Sequence, residues 1–239
     1  SNLVQSPPQE AIDQLVGLYG QGQIEEVIQQ AENLIVQYPE APLLWNILGV
    51  SRAQIGKLDE AIEAYKNCIS LKPDYADAYF NFGIALNKQG KSDDAIDAFK
   101  KSLSYNPKYS QAYNNIGNVL QDQGKFGAAI NSYKKAILLK PDYAEAYDNM
   151  GVAFKTQGKL EEAIVAYKKS ILLKPCHAEA YNNIGNVLKD QGKLDEAIEY
   201  YKKAQSLKPD YFEAYSNMGN AFKDQEKFDE AIEAYKKAI

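Results

Sequence analysis

Residues that could carry out chemistry are scarce in this chain. His177 is the only histidine, and Cys68 and Cys176 are the only cysteines. A protein-bound zinc ion is held mainly by these two residue types, and a general base needs a neighbouring group that sets its protonation state. His177 follows Pro175 and Cys176, and no second histidine can join it. We therefore expect no catalytic residues, no metal site, no cofactor and no enzymatic activity.

The charge and hydropathy of the chain exclude two classes of partner. The 27 Lys and Arg residues against 32 Asp and Glu give a net charge of −5, without a basic block. Nucleic-acid binding needs a basic surface, so we expect no nucleic-acid partner. No apolar run reaches the roughly 18 residues of a membrane-spanning helix, so we expect no membrane insertion. Two unpaired thiols and the lack of an export signal predict a cytoplasmic location.

The chain is built from a repeat of 34 residues. Prolines return at this interval at Pro39, Pro73, Pro107, Pro141, Pro175 and Pro209. Glycines keep the same interval at Gly49, Gly83, Gly117, Gly151, Gly185 and Gly219, and alanines at Ala61, Ala95, Ala129, Ala163, Ala197 and Ala231. A period of this length indicates an array of stacked structural units.

Within one repeat, residues 144–177, the apolar spacing predicts two helices. Tyr147, Met150 and Phe154 follow the three-and-four spacing of one helical face. Gly158 suits the left-handed backbone conformation that commonly ends a helix. The second helix carries its inner stripe at Leu160, Ala163, Ile164, Tyr167 and Ile171, and the proline of the repeat ends it. Helices of about 14 residues are marginal alone, so stacking of neighbouring repeats must stabilise them.

These features resemble the tetratricopeptide repeat (TPR), whose pattern runs from a large aromatic through Leu-Gly, a small alanine and a second aromatic to a proline. Residues 42–75 match it at Trp45, Leu48, Gly49, Ala61, Tyr65, Cys68 and Pro73. Residues 178–211 match it at Tyr181, Ile184, Gly185, Ala197, Tyr201, Ala204 and Pro209. The resemblance covers about residues 42 to 239. It implies an all-α fold, an α-α superhelix (TPR solenoid) of antiparallel helix pairs with a 34-residue period.

The repeat also predicts how the chain is divided. We expect residues 1–7 to form a flexible lead-in and residues 8–41 a degenerate N-terminal capping repeat, because terminal repeats are atypical. The TPR array, residues 42–239, then consists of repeats 42–75, 76–109, 110–143, 144–177 and 178–211 and a partial repeat 212–239. Because the last repeat stops inside its second helix, we expect either a longer native chain or an uncapped end.

Asparagines recur in the first helix of each repeat, where they are poor helix formers that cost about 0.6 kcal/mol each relative to alanine. The sixth repeat position holds Asn81, Asn115, Asn149, Asn183 and Asn217; the ninth holds Asn118, Asn186 and Asn220; and the fifth holds Asn114 and Asn182. The family resemblance implies that these first helices line a concave groove that binds extended peptides or helices. The asparagines would then pair with a ligand's peptide backbone, as in the similar ladder of the TPR arm of O-linked N-acetylglucosamine transferases. Alternatively, these amides bond within or between repeats.

The early repeats replace these amides with apolar residues. Leu43, Ile47, Val50, Phe80 and Ile84 occupy groove positions, which predicts an apolar groove patch. Such a patch usually marks an interaction site. The alternative is that the predicted helix from Ala11 to Tyr19 folds over it.

Three functions remain open from the sequence. The first is a non-catalytic protein–protein interaction scaffold that binds a protein or peptide ligand in the concave groove. The second is the substrate-recognition arm of a larger enzyme, such as a glycosyltransferase, whose catalytic part is absent from this chain. The third is a self-associating structural module, a homo-oligomer formed by end-to-end stacking through the uncapped C-terminal repeat.

Overall fold

The computed structural model describes residues 6–239 and divides them into two compact units, one ending at Val119 and one beginning at Leu120. Every regular element in this range is an α-helix. Consecutive helices pack as pairs joined by short turns, which makes the two helices of a pair antiparallel. The predicted all-α fold class of paired helices is therefore confirmed.

The first unit begins with residues 6–8, which have no regular structure; the rest of the predicted lead-in, residues 1–5, lies outside the described residues. Its helices are α1 (Gln9–Gly20), α2 (Ile24–Gln37), α3 (Pro42–Gln54), α4 (Leu58–Leu71), α5 (Ala76–Lys88) and α6 (Ser92–Tyr105). The division between the units falls within α7 (Ser110–Asp122).

The helices of the second unit are α8 (Phe126–Leu139), α9 (Ala144–Thr156), α10 (Leu160–Leu173), α11 (Ala178–Asp190), α12 (Leu194–Leu207), α13 (Phe212–Asp224) and α14 (Phe228–Lys237). None of the helices traced between residues 6 and 239 combines the length and the apolar character needed to cross a lipid bilayer.

Glycine and proline set the helix boundaries. Between α9 and α10, Gly158 has a φ of 74°, a left-handed conformation that side chains other than glycine's adopt at a cost. The corresponding turn between α13 and α14 has Glu226 at this position, with a φ of 61°. After α10, Lys174 is extended because it precedes Pro175, which disfavours the helical conformation of the residue before it.

A glycine and a tyrosine hold the two helices of a pair close together. In the second unit, the fully buried ring of Tyr201 on α12 lies against Gly185 on α11. A Cβ atom at Gly185 would be 2.5 Å from Tyr201 Cε1. Gly151 and Tyr167 repeat this contact between α9 and α10. The 34-residue spacing of these glycines thus reflects the close approach of a helix backbone to an aromatic ring in each pair.

Candidate functional site

Amides at the sixth repeat position make hydrogen bonds to the preceding repeat. In the first unit, Nδ2 of Asn81 on α5 donates to Oδ1 of Asn46 on α3 at 3.2 Å. In the second unit, Nδ2 of Asn217 on α13 donates to Oδ1 of Asn182 on α11 at 3.1 Å. Asn183 on α11 acts to lower the pKa of the Asp148 carboxyl on α9, against the larger effect of desolvation. The sequence left open the alternative that these amides form hydrogen bonds between repeats, and the structure contains such bonds for Asn81 and Asn217.

Two of the predicted groove asparagines lie inside the protein. The exposed fraction is 1% for Asn114 and 0% for Asn182. Besides accepting from Asn217, Asn182 donates to Oε1 of Glu213 at 3.3 Å. The fifth repeat position therefore faces the neighbouring repeat, so Asn114 and Asn182 cannot extend an exposed amide surface.

Asparagines at the ninth position accept a hydrogen bond from the second helix of their own repeat. The Tyr201 hydroxyl donates to Oδ1 of Asn186 at 2.8 Å, and the Tyr235 hydroxyl donates to Oδ1 of Asn220 at 2.7 Å. Asn186 and Asn220 are half-buried, and both N–H groups of each amide remain after this bond. The tyrosine hydroxyls therefore fix the orientation of these amides.

The remaining amides lie at the protein surface in a half-buried state. They are Asn81, Asn115 and Asn118 in the first unit and Asn149, Asn183, Asn186, Asn217 and Asn220 in the second. A carboxamide carries two N–H donors and a carbonyl oxygen with two lone pairs. The bonds of Asn81 and Asn217 use one N–H each, and within the described part of the chain the second N–H and the carbonyl oxygen of each amide make no hydrogen bond.

In the first unit the structure gathers part of the predicted apolar groove patch around two small cavities. One, of about 150 Å³, is lined by Leu15, Val16, Tyr19, Asn46, Ile47 and Val50. The other, of about 310 Å³, shares Tyr19 and Val50 with the first and adds Asn81, Ile84 and Lys88. Ile47, Val50 and Ile84 therefore lie on one surface together with the amide of Asn81.

Leu43 and Phe80 do not join this surface. Leu43 is 38% exposed near the start of α3 and lines neither cavity. The ring of Phe80 stacks on Tyr109 with 4.5 Å between centroids and also contacts Phe99. Phe80 occupies the same inward-facing fifth position as Asn182, so it supports packing within the unit.

Helix α1 forms one wall of the apolar surface. Its Ile12 and Leu15 pack in the core with Leu44 and Leu48 of α3. Ile47 and Val50 stay half-buried beside it. Tyr19 of α1, which the sequence did not single out, lines both cavities; its place in a degenerate repeat gave no periodic signal for it.

Sequence reasoning also missed a polar cluster around Asp148 in the second unit. Desolvation raises the pKa of the half-buried Asp148 carboxyl, while His177 and Asn183 act in the opposite direction. Nδ1 of His177 lies 3.0 Å from the Ser170 hydroxyl, and Nε2 lies 3.8 Å from Oε2 of Glu179. His177 is therefore a packed member of this cluster. The available signal was that His177 stands where other repeats carry a tyrosine.

The charged side chains next to the amides partly pair with one another. Nζ of Lys155 on α9 lies 3.5 Å from Oδ2 of Asp190 on α11. Within residues 6–239, His, Cys, Asp and Glu side chains form no group of three or more that could hold a metal ion. The Lys155–Asp190 salt bridge therefore links α9 to α11.

The repeated helix pairs and the glycine–aromatic contact between them define a TPR domain, a class of protein-interaction module. The model of the family described as the cilia and flagella-associated protein 70 C-terminal domain matches residues 23–239, and the chain belongs to this TPR family. No curated protein sequence gives a significant match.

Solved structures show the same fold. MamA protein is 34% identical, with a TM-score of 0.62, over 68% of this chain and 89% of that chain. YrrB, described as a TPR protein with an unusual peptide-binding site, is 22% identical with a TM-score of 0.62, over 77% of this chain and 95% of that one. The C-terminal part of a TPR repeat-containing protein from Cytophaga hutchinsonii is 18% identical with a TM-score of 0.75, over 95% and 93%.

Proposed function

We propose that this chain is a non-catalytic interaction scaffold that binds an extended peptide segment through the side-chain amides of the first helices of its repeats. The observation that carries this proposal is the state of Asn81 and Asn217. Each is held by one hydrogen bond to the preceding repeat, while its second N–H and its carbonyl oxygen have no partner among residues 6–239. An extended peptide presents both an N–H and a C=O group, and one carboxamide can bind both.

The hydrogen bonds between repeats favour this use of the amides. A side chain that is already fixed loses little rotamer freedom when a ligand binds, whereas a mobile one loses about 0.5–1.5 kcal/mol. Each new neutral hydrogen bond contributes about 0.5–1.5 kcal/mol, so several amides must act together. Because backbone groups are common to all peptides, this mode tolerates many ligand sequences.

The apolar surface of the first unit would add selectivity. Ile47, Val50 and Ile84 lie beside Tyr19 and the Asn81 amide. An apolar ligand side chain could pack there while the amide binds the neighbouring peptide group. The peptide-binding site in the description of YrrB, whose fold is similar, supports a peptide ligand for this chain.

The test compares two alanine variants that break the same hydrogen bond. Asn217→Ala removes the amide from the surface, whereas Asn182→Ala removes its buried acceptor, together with the donor to Glu213, and leaves the Asn217 amide in place. Short unstructured peptides are first selected for binding to the wild-type chain from a displayed library. Their affinities for both variants are then measured by calorimetry, with circular dichroism as a control for folding.

We expect Asn217→Ala to weaken binding by about 0.5–1.5 kcal/mol, one hydrogen bond, and Asn182→Ala to weaken it less. Equal affinities for the wild type and Asn217→Ala, or failure to select any peptide, would contradict the proposal.

A further inference from the structure

Helix α10 of the second unit has an exposed apolar face that its counterparts lack. Val165 is 68% exposed and Leu172 is 70% exposed. At the repeat position of Val165, the other second helices carry Gln29, Glu63, Asp97, Asn131, Glu199 and Glu233. At the position of Leu172 they carry Val36, Ser70, Ser104, Leu138 and Ser206, of which Val36 and Leu138 are exposed. An apolar residue at both positions therefore distinguishes α10 within the array.

Val165 and Leu172 border a groove of about 720 Å³. Its remaining apolar lining comes from Tyr147, Met150 and Phe154 of α9 and from Ala166 of α10. Apolar surface that is this exposed on a folded protein usually marks an interaction site. The groove lies entirely within the second unit, and none of its lining residues is one of the proposed ligand-binding amides.

The charges of α10 are arranged symmetrically about Val165. Glu161 and Glu162 precede Val165 by four and three residues, and Lys168 and Lys169 follow it by three and four. In an antiparallel pair of identical helices centred on Val165, Glu161 of one copy faces Lys169 of the other. Glu162 likewise faces Lys168. A parallel pair would instead bring like charges together, so the pattern is complementary to itself in one orientation only.

Counterpart helices share the flanking charges but not the apolar centre. Glu199 in the middle of α12 pairs with Lys202 at 2.8 Å, and Asp97 in the middle of α6 pairs with Lys100 at 3.3 Å. On a two-fold axis such an acid would meet itself and repel. Val165 occupies this central position in α10. The helix therefore lacks the acid that would repel its own copy at the two-fold axis and that would pair with Lys168 within the helix.

We infer that the α10 face is a homotypic interface, on which a second copy of this chain docks with its α10 antiparallel to the first. Val165 of each copy lies at the two-fold axis, and Leu172 of each copy packs toward the groove of the other. Because the same patch serves both copies, the interface is isologous and closes as a dimer. One helix pair forms a small interface, so the dimer is weak and reversible.

The first test is the oligomeric state of the wild-type chain and two charge variants, measured by sedimentation equilibrium at protein concentrations up to about 1 mM. Val165→Glu installs the acid that α12 carries at this position. Ser104→Glu, the matched control, adds the same charge to an exposed site on α6. We expect a dimer whose dissociation constant rises at least about tenfold in Val165→Glu and stays unchanged in Ser104→Glu.

A second test uses charge reversal. A chain with Glu161→Lys and Glu162→Lys should be monomeric, as should a chain with Lys168→Glu and Lys169→Glu, because each makes α10 repel its own copy. An equal mixture of the two variants should dimerise again. Circular dichroism confirms that each variant is folded.

Three results would overturn the inference: a monomeric wild-type chain at every concentration, a dimer that Val165→Glu leaves intact, or a mixture of reversed variants that stays monomeric. A dimer that persists in Val165→Glu would point instead to stacking through the last repeat.

Discussion

Replacing Asp148 with asparagine should stabilise the second unit at neutral pH. Oδ1 of Asp148 is buried and has no hydrogen-bond partner among the described residues. Desolvation raises the pKa of this carboxyl, against the effects of His177 and Asn183. Asn182 holds the same repeat position in the next repeat, so an asparagine fits this environment. The substitution removes a poorly solvated charge.

The sign of the pH dependence follows from the raised pKa. A carboxyl whose pKa is higher in the folded state than in the unfolded state favours folding while it is protonated. This contribution is fully present below the unfolded pKa of about 3.9 and is lost as the pH rises through the folded pKa. An unsatisfied buried polar group costs about 1–3 kcal/mol, part of which His177 and Asn183 offset. We expect Asp148→Asn to gain about 1 kcal/mol at pH 7 and about zero at pH 3.

Amide hydrogen exchange is the appropriate assay, because repeat arrays unfold in parts and a single unfolding free energy is not well defined for them. The protection of backbone N–H groups in α9 and α11 against hydrogen exchange would be compared between wild type and Asp148→Asn at both pH values. Asp142→Asn, at an exposed position in the same unit, serves as the control. Lower protection of the variant at pH 7, or an equal gain at both pH values, would refute the reasoning.

Three further predictions concern packing, the turn and the thiols. Gly185→Ala should lower the local stability of α11 and α12, measured by hydrogen exchange, by about 1–3 kcal/mol, because its Cβ would lie 2.5 Å from Tyr201 Cε1; exchange at the wild-type rate in both helices would contradict this. Glu226→Gly should slow hydrogen exchange in α13 and α14, because it relieves about 1 kcal/mol of left-handed backbone strain; faster exchange would argue against that strain. A thiol reagent should modify Cys176 in the folded protein and Cys68 only after unfolding, since Cys68 is fully buried and burial raises its pKa to about 12; rapid labelling of both would show that Cys68 is accessible.

The helices were predictable because their signals are local and periodic. Residues 144–177 predicted two helices with a break at Gly158, and the structure has α9 and α10 on either side of it. Apolar spacing, glycine and proline determine helix position and helix ends within a few residues. Each of these signals also recurs in most of the 34-residue repeats, which makes it easier to recognise. The sequence pattern did not predict that Glu226 adopts the left-handed backbone conformation that glycine has in the corresponding turns of the other repeats. This conformation is imposed by the geometry of the turn.

The site was less predictable because the fifth and sixth repeat positions are only about 100° apart around a helix. A sequence pattern does not fix the helix rotation closely enough to separate half-buried Asn183 from fully buried Asn182. The contacts of His177 with Ser170 and Glu179 were also hidden, since they depend on how the turn packs between α10 and α11. Both features depend on tertiary packing between repeats.

The most direct test of the amide account is the NMR signal of the asparagine side chains. A selected peptide would be titrated into chain labelled with ¹⁵N, and the Nδ2 resonances would be followed. The account predicts large shifts for Asn81 and Asn217, with smaller shifts for buried Asn182. Saturable peptide binding that leaves the Asn81 and Asn217 resonances unmoved would contradict it.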